Sequence, residues 1–379
     1  MRRTLLSLLA LVLFAGAASG GDWDLVKIGG RDHVTLKNVA QFYGFGGVQK
    51  VSNTFTMRSS ARQLRGQGGS VEFYINNLKF NLSYPIVEHD GQFCISRMDL
   101  TKLIEPVLRP GKIAKADQID TVVLDAGHGG HDNGAYSPLG WEKQYTLDTV
   151  LRAKQLFIQA GFKVVLTRGT DEFIPLEGRV KIANQYENAL FISVHFNSGG
   201  AGTGLETYTL APRGVPSMMA DGPRISDLDP CPGNGHDAEN MALATATHAT
   251  LVVKSRMYDR GIKRARFVVI RDITIPGVLI EGGFLSNGFD AKMINMPEYR
   301  QQMAASIVQA VQNYRRALAP QQISVASAAS SAASIESKEA ARRSEAAIQS
   351  QSRMEPVVVT PTTAVPASPP APVSEPASN

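Results

Sequence analysis

The feature that most constrains this chain is a short apolar run that ends in a glycine-rich segment around one histidine. Residues 121–135 read TVVLDAGHGGHDNGA. The β-branched residues at the start predict a buried strand over residues 121–124, and the glycines predict a turn after it. Because α/β folds keep their sites at the carboxyl ends of strands, we expect His128 to face such a site. This segment alone also fits a plain turn with a solvated histidine.

Two later segments repeat the design, each an apolar run that ends in a polar side chain. Residues 191–197 read FISVHFN, and residues 278–287 read VLIEGGFLSN. We therefore expect His195 and Glu281 to lie with His128 at one end of a sheet. Histidine and glutamate side chains form a ligand set suited to Zn²⁺, and a further carboxylate nearby would carry protons.

Together with Glu142, these motifs resemble those of the zinc-dependent N-acetylmuramoyl-L-alanine amidases of the amidase-3 type, which cleave peptidoglycan. The resemblance covers nearly all of residues 121–318 and keeps the motifs in order. It implies a phosphorylase/hydrolase-like α/β fold, a twisted mixed sheet covered by helices. It also implies that His128, Glu142 and His195 are the ligands of one zinc ion, and that Glu281 is the catalytic acid/base.

The chemistry of amide hydrolysis agrees with these implied roles. A catalytic zinc takes three protein ligands, keeps one position open and lowers the pKa of its water to about 7. Glu281 could take a proton from the water and hand it to the departing nitrogen. The implied function is hydrolysis of the bond between N-acetylmuramic acid and L-alanine. The alternatives are a zinc peptidase of the stem peptide and a non-catalytic cell-wall-binding protein.

Other polar residues near these motifs are not expected among the metal ligands. Glu206 either orients the site or starts a strand, and we leave both open. Asn197 is expected to hold His195 by a contact outside the metal ligands. Arg179 is expected to be structural, and His248 is not expected to bind metal.

The chain divides by composition into five segments. The first twenty residues combine Arg2 and Arg3 with an apolar stretch too short to span a bilayer, followed by small residues. This is typical of a cleavable signal peptide and predicts a periplasmic or secreted protein; the alternative is an N-terminal membrane anchor. The predicted segments are a signal peptide (1–20), a small α+β module (22–108), a linker (109–120), the zinc amidase domain (121–318) and a disordered Ala/Ser/Pro-rich tail (319–379).

The α+β module resembles the small N-terminal domain of copper amine oxidases, which often precedes wall-acting enzymes. It carries no catalytic residue, and wall binding is the role we expect for it. In the main domain, strands and helices alternate, which predicts a sheet with helices on both faces. The later strands are predicted at residues 163–167, 189–195, 205–210, 267–270 and 278–281, and the helices at 146–160, 175–186, 237–257 and 298–318.

The net charge of the chain and the segment at residues 212–236 indicate which partners to expect. The net charge of +5 suits an anionic partner such as a wall polymer, and without a nucleic-acid module we expect no nucleic acid. We expect a monomer in which Cys94 and Cys231 do not pair. In some relatives an insertion at residues 212–236 includes an inhibitory helix that an activator protein displaces. Prolines at positions 216, 223, 230 and 232 exclude one long helix here, so we do not expect that mechanism, although an activator stays an open partner. The alternatives for this segment are a substrate-contacting loop and a plain surface loop.

Overall fold

An eleven-stranded mixed sheet runs through the computed structural model, which describes residues 23–113, 119–220 and 222–319. The amino-terminal part of the chain consists of short antiparallel strands and one amphipathic helix. These elements are β1 (Leu25–Ile28), β2 (Arg31–Thr35), α1 (Leu36–Tyr43), β3 (Val48–Val51), β4 (Thr54–Arg58), β5 (Gln63–Gln67), β6 (Glu72–Ile75), β7 (Leu78–Asn81), β8 (Val87–His89) and β9 (Gln92–Ser96). A short helical segment then runs through α2 (Arg97–Asp99), a π-helical turn (Leu100–Ile104) and α3 (Glu105–Leu108).

The remaining elements alternate between strand and helix, as the sequence predicts. They are β10 (Thr121–Ala126), β11 (Tyr136–Ser137), β12 (Gly140–Trp141), α4 (Glu142–Gln159), β13 (Lys163–Leu166), α5 (Leu176–Ala183), β14 (Ala189–Asn197), β15 (Leu205–Leu210), α6 (Asp237–Ser255), β16 (Asp259–Ala265), α7 (Val268–Arg271), β17 (Gly277–Phe284), α8 (Gly288–Asn295) and α9 (Pro297–Leu318). Between β15 and α6, the described residues form only short 3₁₀ turns at Ile225–Leu228 and Pro232–His236, in agreement with the prolines there.

The order of the large sheet is β13-β10-β14-β17-β15-β16-β7-β6-β5-β4-β3. Strands β13, β10, β14 and β17 are parallel neighbours, whereas β15 runs antiparallel to β17. Strands β1, β2, β9 and β8 form a separate four-stranded sheet. The predicted α/β class with a mixed sheet is thereby confirmed.

Helices cover both faces of the sheet because the strand residues alternate between two apolar clusters. Val122 and Leu124 of β10 belong to the cluster that includes residues of α4, α6 and α9. Val123, between them, belongs to the cluster with residues of α5 and α7. Each such side chain taken out of water stabilises the fold by roughly 1.5–3 kcal/mol. The result is a strand buried on both faces, as its near-continuous apolar sequence requires.

One predicted element is wrong. Residues 267–270, predicted as a strand, belong mostly to helix α7. The strand in this region is β16, which lies earlier in the chain and reads DRGIKRA, with four charged side chains among its seven residues. The apolar run FVVI is too short to show a helical or a strand period. Phe267 takes an extended conformation and α7 begins immediately after it.

The amino-terminal strands continue the sheet of the main domain through the pairing of β7 with β16. At this junction the buried side chain of Arg264 donates to the carbonyl of Asn81 and to Ser83 Oγ, and its Nη2 lies 3.2 Å from Asp99 Oδ1. A buried guanidinium needs such partners, so the two regions are joined by a polar network as well as by strand pairing.

The remaining predictions concern the terminal segments, the linker and the two cysteines. The predicted signal peptide and nearly all of the predicted tail lie outside the described residues, as do residues 114–118 of the predicted linker. Within the described residues, no helix has both the length and the apolar character needed to cross a bilayer. Cys94 and Cys231 are both free.

Candidate metal centre

The three strands that carry the predicted motifs are adjacent and parallel, in the order β10-β14-β17. His195 pairs in register with Glu281, and Asp125 pairs with Ser193. Because side chains alternate between faces, Asp125, His195 and Glu281 all lie on the face covered by α5 and α7. The carboxyl ends of the strands therefore meet as the sequence predicts.

His128 lies two residues beyond β10 and adopts a left-handed backbone conformation, with φ of 62°. A non-glycine residue in this region is strained, and the surroundings must hold it there. Arg179 does so: its Nη2 donates to the His128 carbonyl at 2.7 Å, and its Nη1 lies 2.6 Å from the buried Asp125 carboxylate. The expected structural role of Arg179 is thus the support of this loop.

Glu142 is not a surface glutamate, because only 4% of the residue is exposed. It begins α4, four residues before the predicted start of that helix. Its carboxylate accepts hydrogen bonds from the backbone N–H of Ala135 at 2.8 Å and of Phe196 at 3.0 Å. Its two oxygens also face the two histidines, with Oε2 3.1 Å from His128 Nε2 and Oε1 2.9 Å from His195 Nδ1.

His128, Glu142 and His195 each offer one ligand atom, and these atoms lie within 4.8 Å of one another. Two imidazoles and one carboxylate match the donor set of catalytic zinc sites. His128 also has its Nδ1 atom 2.8 Å from Asp132 Oδ2, which fixes the ring and leaves Nε2 directed at the cluster. The residues therefore fit a bound zinc ion.

The electrostatics of the cluster keep Glu142 ionised. Burial raises the pKa of Glu142, but hydrogen bonds and charge from His128 and His195 outweigh burial and hold it well below its usual range. Burial lowers the pKa of His128, but Glu142 and Asp132 outweigh this effect and raise it. An ionised carboxylate between two imidazoles is a prepared cation site.

Glu281 differs from Glu142 in its surroundings. Its Oε2 atom is shielded from solvent and has no hydrogen-bond partner among the described residues. Burial, followed by the negative charges of Glu142 and Glu206, raises the pKa of Glu281 well above its usual value. Two neighbouring carboxyl groups with opposite pKa shifts are typical of a ligand and a proton carrier in one site.

A cavity of about 500 Å³ lies beside the metal cluster, and His128 and His195 of the candidate ligands line it. Its wall is largely apolar, with polar groups from the metal cluster and its supports. The lining residues are Asp125, His128, Asp132, Phe173, Ile174, Leu176, Arg179, His195, Phe267, Val269, Leu279 and Glu281. A mainly apolar cavity with a few convergent polar groups is the usual form of a small-molecule site.

The structure gives other partners to two nearby residues. The side-chain amide of Asn197 donates to Glu206 at 3.2 Å, and its side chain makes no hydrogen bond to His195 within the described ranges, so the expected support of His195 is wrong. His248 contacts Thr207 and Asp259 through its two ring nitrogens.

Sequence reasoning missed two supports of the cluster, Asp132 and Asp125. Asp125 accepts from Thr167 and Ser193, both at 2.6 Å, in addition to its ion pair with Arg179. A lone carboxylate inside an apolar strand was the available signal for Asp125, since such a group must be paired when buried. For Asp132, the spacing of four residues from His128 carries no specific signal.

Comparison with known proteins decides the family. The family model described as N-acetylmuramoyl-L-alanine amidase matches residues 122–313, about half of the chain. The chain belongs to the N-acetylmuramoyl-L-alanine amidase family. The span that matches the amidase family includes all three candidate ligands and Glu281.

Individual relatives are similar over the same region. The YqiI protein of Bacillus subtilis is 34% identical over 196 residues, which are 51% of this chain and 84% of that protein. The N-acetylmuramoyl-L-alanine amidase AmiA of Escherichia coli is 28% identical over 244 residues, with 58% and 84% covered. Among solved structures, the catalytic domain of the amidase CwlV from Bacillus (Paenibacillus) polymyxa is 30% identical, with a TM-score of 0.43 and coverage of 52% and 97%.

Proposed function

We propose that this chain is a zinc-dependent amidase that hydrolyses the bond between N-acetylmuramic acid and the L-alanine of the peptidoglycan stem peptide. The observation that carries the proposal is the convergence of His128, Glu142 and His195, with ligand atoms within 4.8 Å, inside the span matched by the family. The substrate class follows from membership in that family.

The three clustered side chains are the proposed zinc ligands. When bound there, zinc supplies a Lewis acid for the amide carbonyl and makes water more acidic. Glu142 contributes the negative charge of the ligand set, and the backbone N–H groups of Ala135 and Phe196 hold its carboxylate in position. Asp132 orients the His128 ring through Nδ1.

Glu281 is the proposed acid/base. A raised pKa makes its carboxylate a stronger base and lets its acid form persist closer to neutral pH. In the proposed reaction it accepts a proton from the attacking water as the water oxygen bonds to the carbonyl carbon. It then donates that proton to the amide nitrogen as the carbon–nitrogen bond breaks, so that L-alanine leaves with a neutral amine.

The rest of the chain is given supporting roles in this proposal. Residues 1–20 serve as a signal peptide that directs the protein to the periplasm or the outside of the cell, where its substrate lies. Residues 22–108 form a module that contributes affinity for the wall, and 121–318 form the catalytic domain. Residues 109–120 are the linker, and residues 319–379 are an Ala/Ser/Pro-rich tail. We propose that the protein acts as a monomer.

The products of wall digestion test this function. Purified zinc-loaded protein is incubated with peptidoglycan, and the released fragments are identified by mass spectrometry. Free stem peptides with an amino-terminal L-alanine, together with peptide-free glycan, are expected. Release of single amino acids or of cut cross-links would instead show a peptidase. An inactive protein that still sediments with the wall would show a binding protein.

A further inference from the structure

A row of charged side chains extends from the metal cluster across the sheet. His195 on β14 pairs with Glu281 on β17, which pairs in turn with Glu206 on β15. The next strand, β16, brings Lys263 opposite Tyr208, two residues along from Glu206. Residues two apart on a strand share a face, so the row continues on the face that carries Glu281.

The row ends in two cations that share one carboxylate. Glu206 is 1% exposed. Its Oε1 atom accepts from Arg260 Nε and from Lys263 Nζ, both at 2.5 Å. Its Oε2 atom accepts from Tyr208 Oη at 2.7 Å and from Asn197 at 3.2 Å. Burial raises the pKa of Glu206, but hydrogen bonds from Lys263, Arg260 and Tyr208 outweigh burial and lower it. The carboxylate thus stays ionised.

One cation balances the charge of Glu206, and the second leaves a positive charge at this end of the row. Arg260 is better placed than Lys263 to bind an anion with that charge. Its side chain is 31% exposed, and its guanidinium lies over the Phe284 ring at 4.8 Å. Apart from the Nε bond to Glu206, it makes no hydrogen bond to the described part of the chain, so both Nη groups are available. A guanidinium held through Nε and backed by an aromatic ring is prepared for a planar anion.

The distance of the cations from the reaction site limits what they can bind. Both cationic groups bond to the carboxylate of Glu206, which lies on the strand next to β17, so at roughly 4.8 Å per strand they are about 5–10 Å from Glu281. An extended peptide covers roughly 7 Å with two residues and about 10 Å with three. A group that reaches the cations from an amide beside Glu281 therefore belongs to the second or third residue of the attached peptide.

We propose that Arg260 and Lys263, held by Glu206, form a subsite for a carboxylate on the second or third residue of the peptide that is cleaved from the sugar. The inference rests on the proposed function and adds the part of the substrate that is recognised. Arg260 and Lys263 determine specificity, and Glu206 is a positioning residue.

The test compares two forms of one substrate. The first is N-acetylmuramoyl-L-alanyl-D-glutamyl-L-lysine with free carboxylates, and the second has the same carboxylates converted to carboxamides. The two substrates differ in charge but have nearly the same shape. A hydrogen-bonded charge pair contributes roughly 1.5–3 kcal/mol, so the wild-type protein is expected to prefer the carboxylate form by about ten- to a hundredfold in kcat/KM. We expect this preference to lie in KM.

The variant Arg260→Gln is expected to lower kcat/KM for the carboxylate form alone and so to abolish the preference. Lys263→Gln is expected to reduce it in the same sense. Arg152→Gln is the matched control, because Arg152 is also part of an ion pair and its side chain is 30% exposed. This control is expected to keep the preference of the wild type.

The outcomes separate the subsite from the proposed function. Equal cleavage of both forms by the wild type overturns the subsite and leaves the amidase proposal intact, and this comparison does not depend on any variant folding. An Arg260→Gln protein that loses activity equally on both forms also overturns the subsite. If the wild type cleaves neither form, the proposed function is overturned and the subsite with it.

Discussion

Asp125 and Arg179 form a buried ion pair beside the candidate metal cluster, with Oδ1 and Nη1 2.6 Å apart and side chains 1% and 3% exposed. The same guanidinium donates to the carbonyls of Ala126 and His128, both at 2.7 Å. The pair therefore links β10 and α5 to the strained loop that presents His128.

Replacing Arg179 by methionine is expected to destabilise the protein strongly, because it leaves the Asp125 carboxylate buried and without its cation. The expected loss in the free energy of unfolding is about 3–5 kcal/mol, measured by urea denaturation. Removal of a support behind a ligand commonly costs about ten- to a hundredfold in metal affinity, which competition with a chelator would show. Arg152→Met, at a partly exposed pair with Asp148, should cost about 1 kcal/mol or less. Equal losses in both variants would contradict this role.

Gly127 lies against the ring of His195. A Cβ atom added at Gly127 would lie 2.2 Å from His195 Cε1 and 2.5 Å from Nε2. Gly127→Ala is therefore expected to displace the imidazole and abolish zinc binding, with secondary structure retained in circular dichroism. Gly46→Ala is the control, since its nearest neighbour would be the Arg58 carbonyl at 3.6 Å. Full zinc content in Gly127→Ala would show that the metal does not need this position of His195.

The proposed acid/base Glu281 and the proposed metal ligand His128 should respond differently to substitution. Glu281→Gln keeps the size of the side chain but removes its base, so turnover should fall by about two to four powers of ten while zinc content stays at one per protein. His128→Ala should instead lose the metal, because two remaining ligands hold zinc poorly. Zinc is measured by elemental analysis, alongside muropeptide cleavage. Loss of zinc from Glu281→Gln would make Glu281 a ligand and overturn its assignment.

The sequence predicted the strand ends of the site because each is an apolar run closed by a polar residue. His195 and Glu281 follow such runs, and their meeting requires only that the strands be parallel neighbours. The resemblance to amidases was needed to select Glu142, whose burial comes from backbone contacts with residues distant in the chain.

Other parts could not be predicted, because their physical cause lies in distant partners. Strand β16 contains Lys263 and Arg264, which a sequence pattern assigns to the surface. In the fold these two residues point to opposite faces, one toward Glu206 and the other toward Asp99. Charged residues whose partners lie far away in sequence hide the alternation of a buried strand. The same reason explains Asn197, which contacts Glu206 rather than His195.

Asp259 provides a test of stability against pH. Its Oδ1 atom lies 2.9 Å from the buried His248, and its Oδ2 accepts from the Lys79 backbone N–H at 3.0 Å. Burial raises the pKa of Asp259, but the contacts with His248 outweigh burial and lower it. A depressed folded-state pKa stabilises the protein above the unfolded value of about 4, and this contribution is lost as pH falls through the folded-state pKa.

The difference in unfolding free energy between wild type and Asp259→Asn should therefore be largest near neutral pH. It should shrink as the pH falls below about 4, because the wild-type carboxylate is then protonated as well. Urea denaturation of both proteins at several pH values measures it. A difference that does not change with pH would show that the charge of Asp259 contributes nothing.

The last prediction concerns the junction between the two regions. All candidate site residues lie within residues 121–318, so a fragment of that span is expected to bind zinc and to cleave small soluble muropeptides.

Removing the first region, however, takes away β7 from the edge of β16 and the partners Asn81, Ser83 and Asp99 from Arg264. The fragment is expected to unfold at lower urea concentration than residues 23–319. Its unpaired strand edge should also make it self-associate as its concentration rises. Urea denaturation, sedimentation velocity, zinc analysis and muropeptide cleavage by the two proteins measure these effects. A monomeric fragment with unchanged stability would show that the junction contributes little, and a folded, zinc-loaded fragment that cannot cleave muropeptides would show that the first region completes the site.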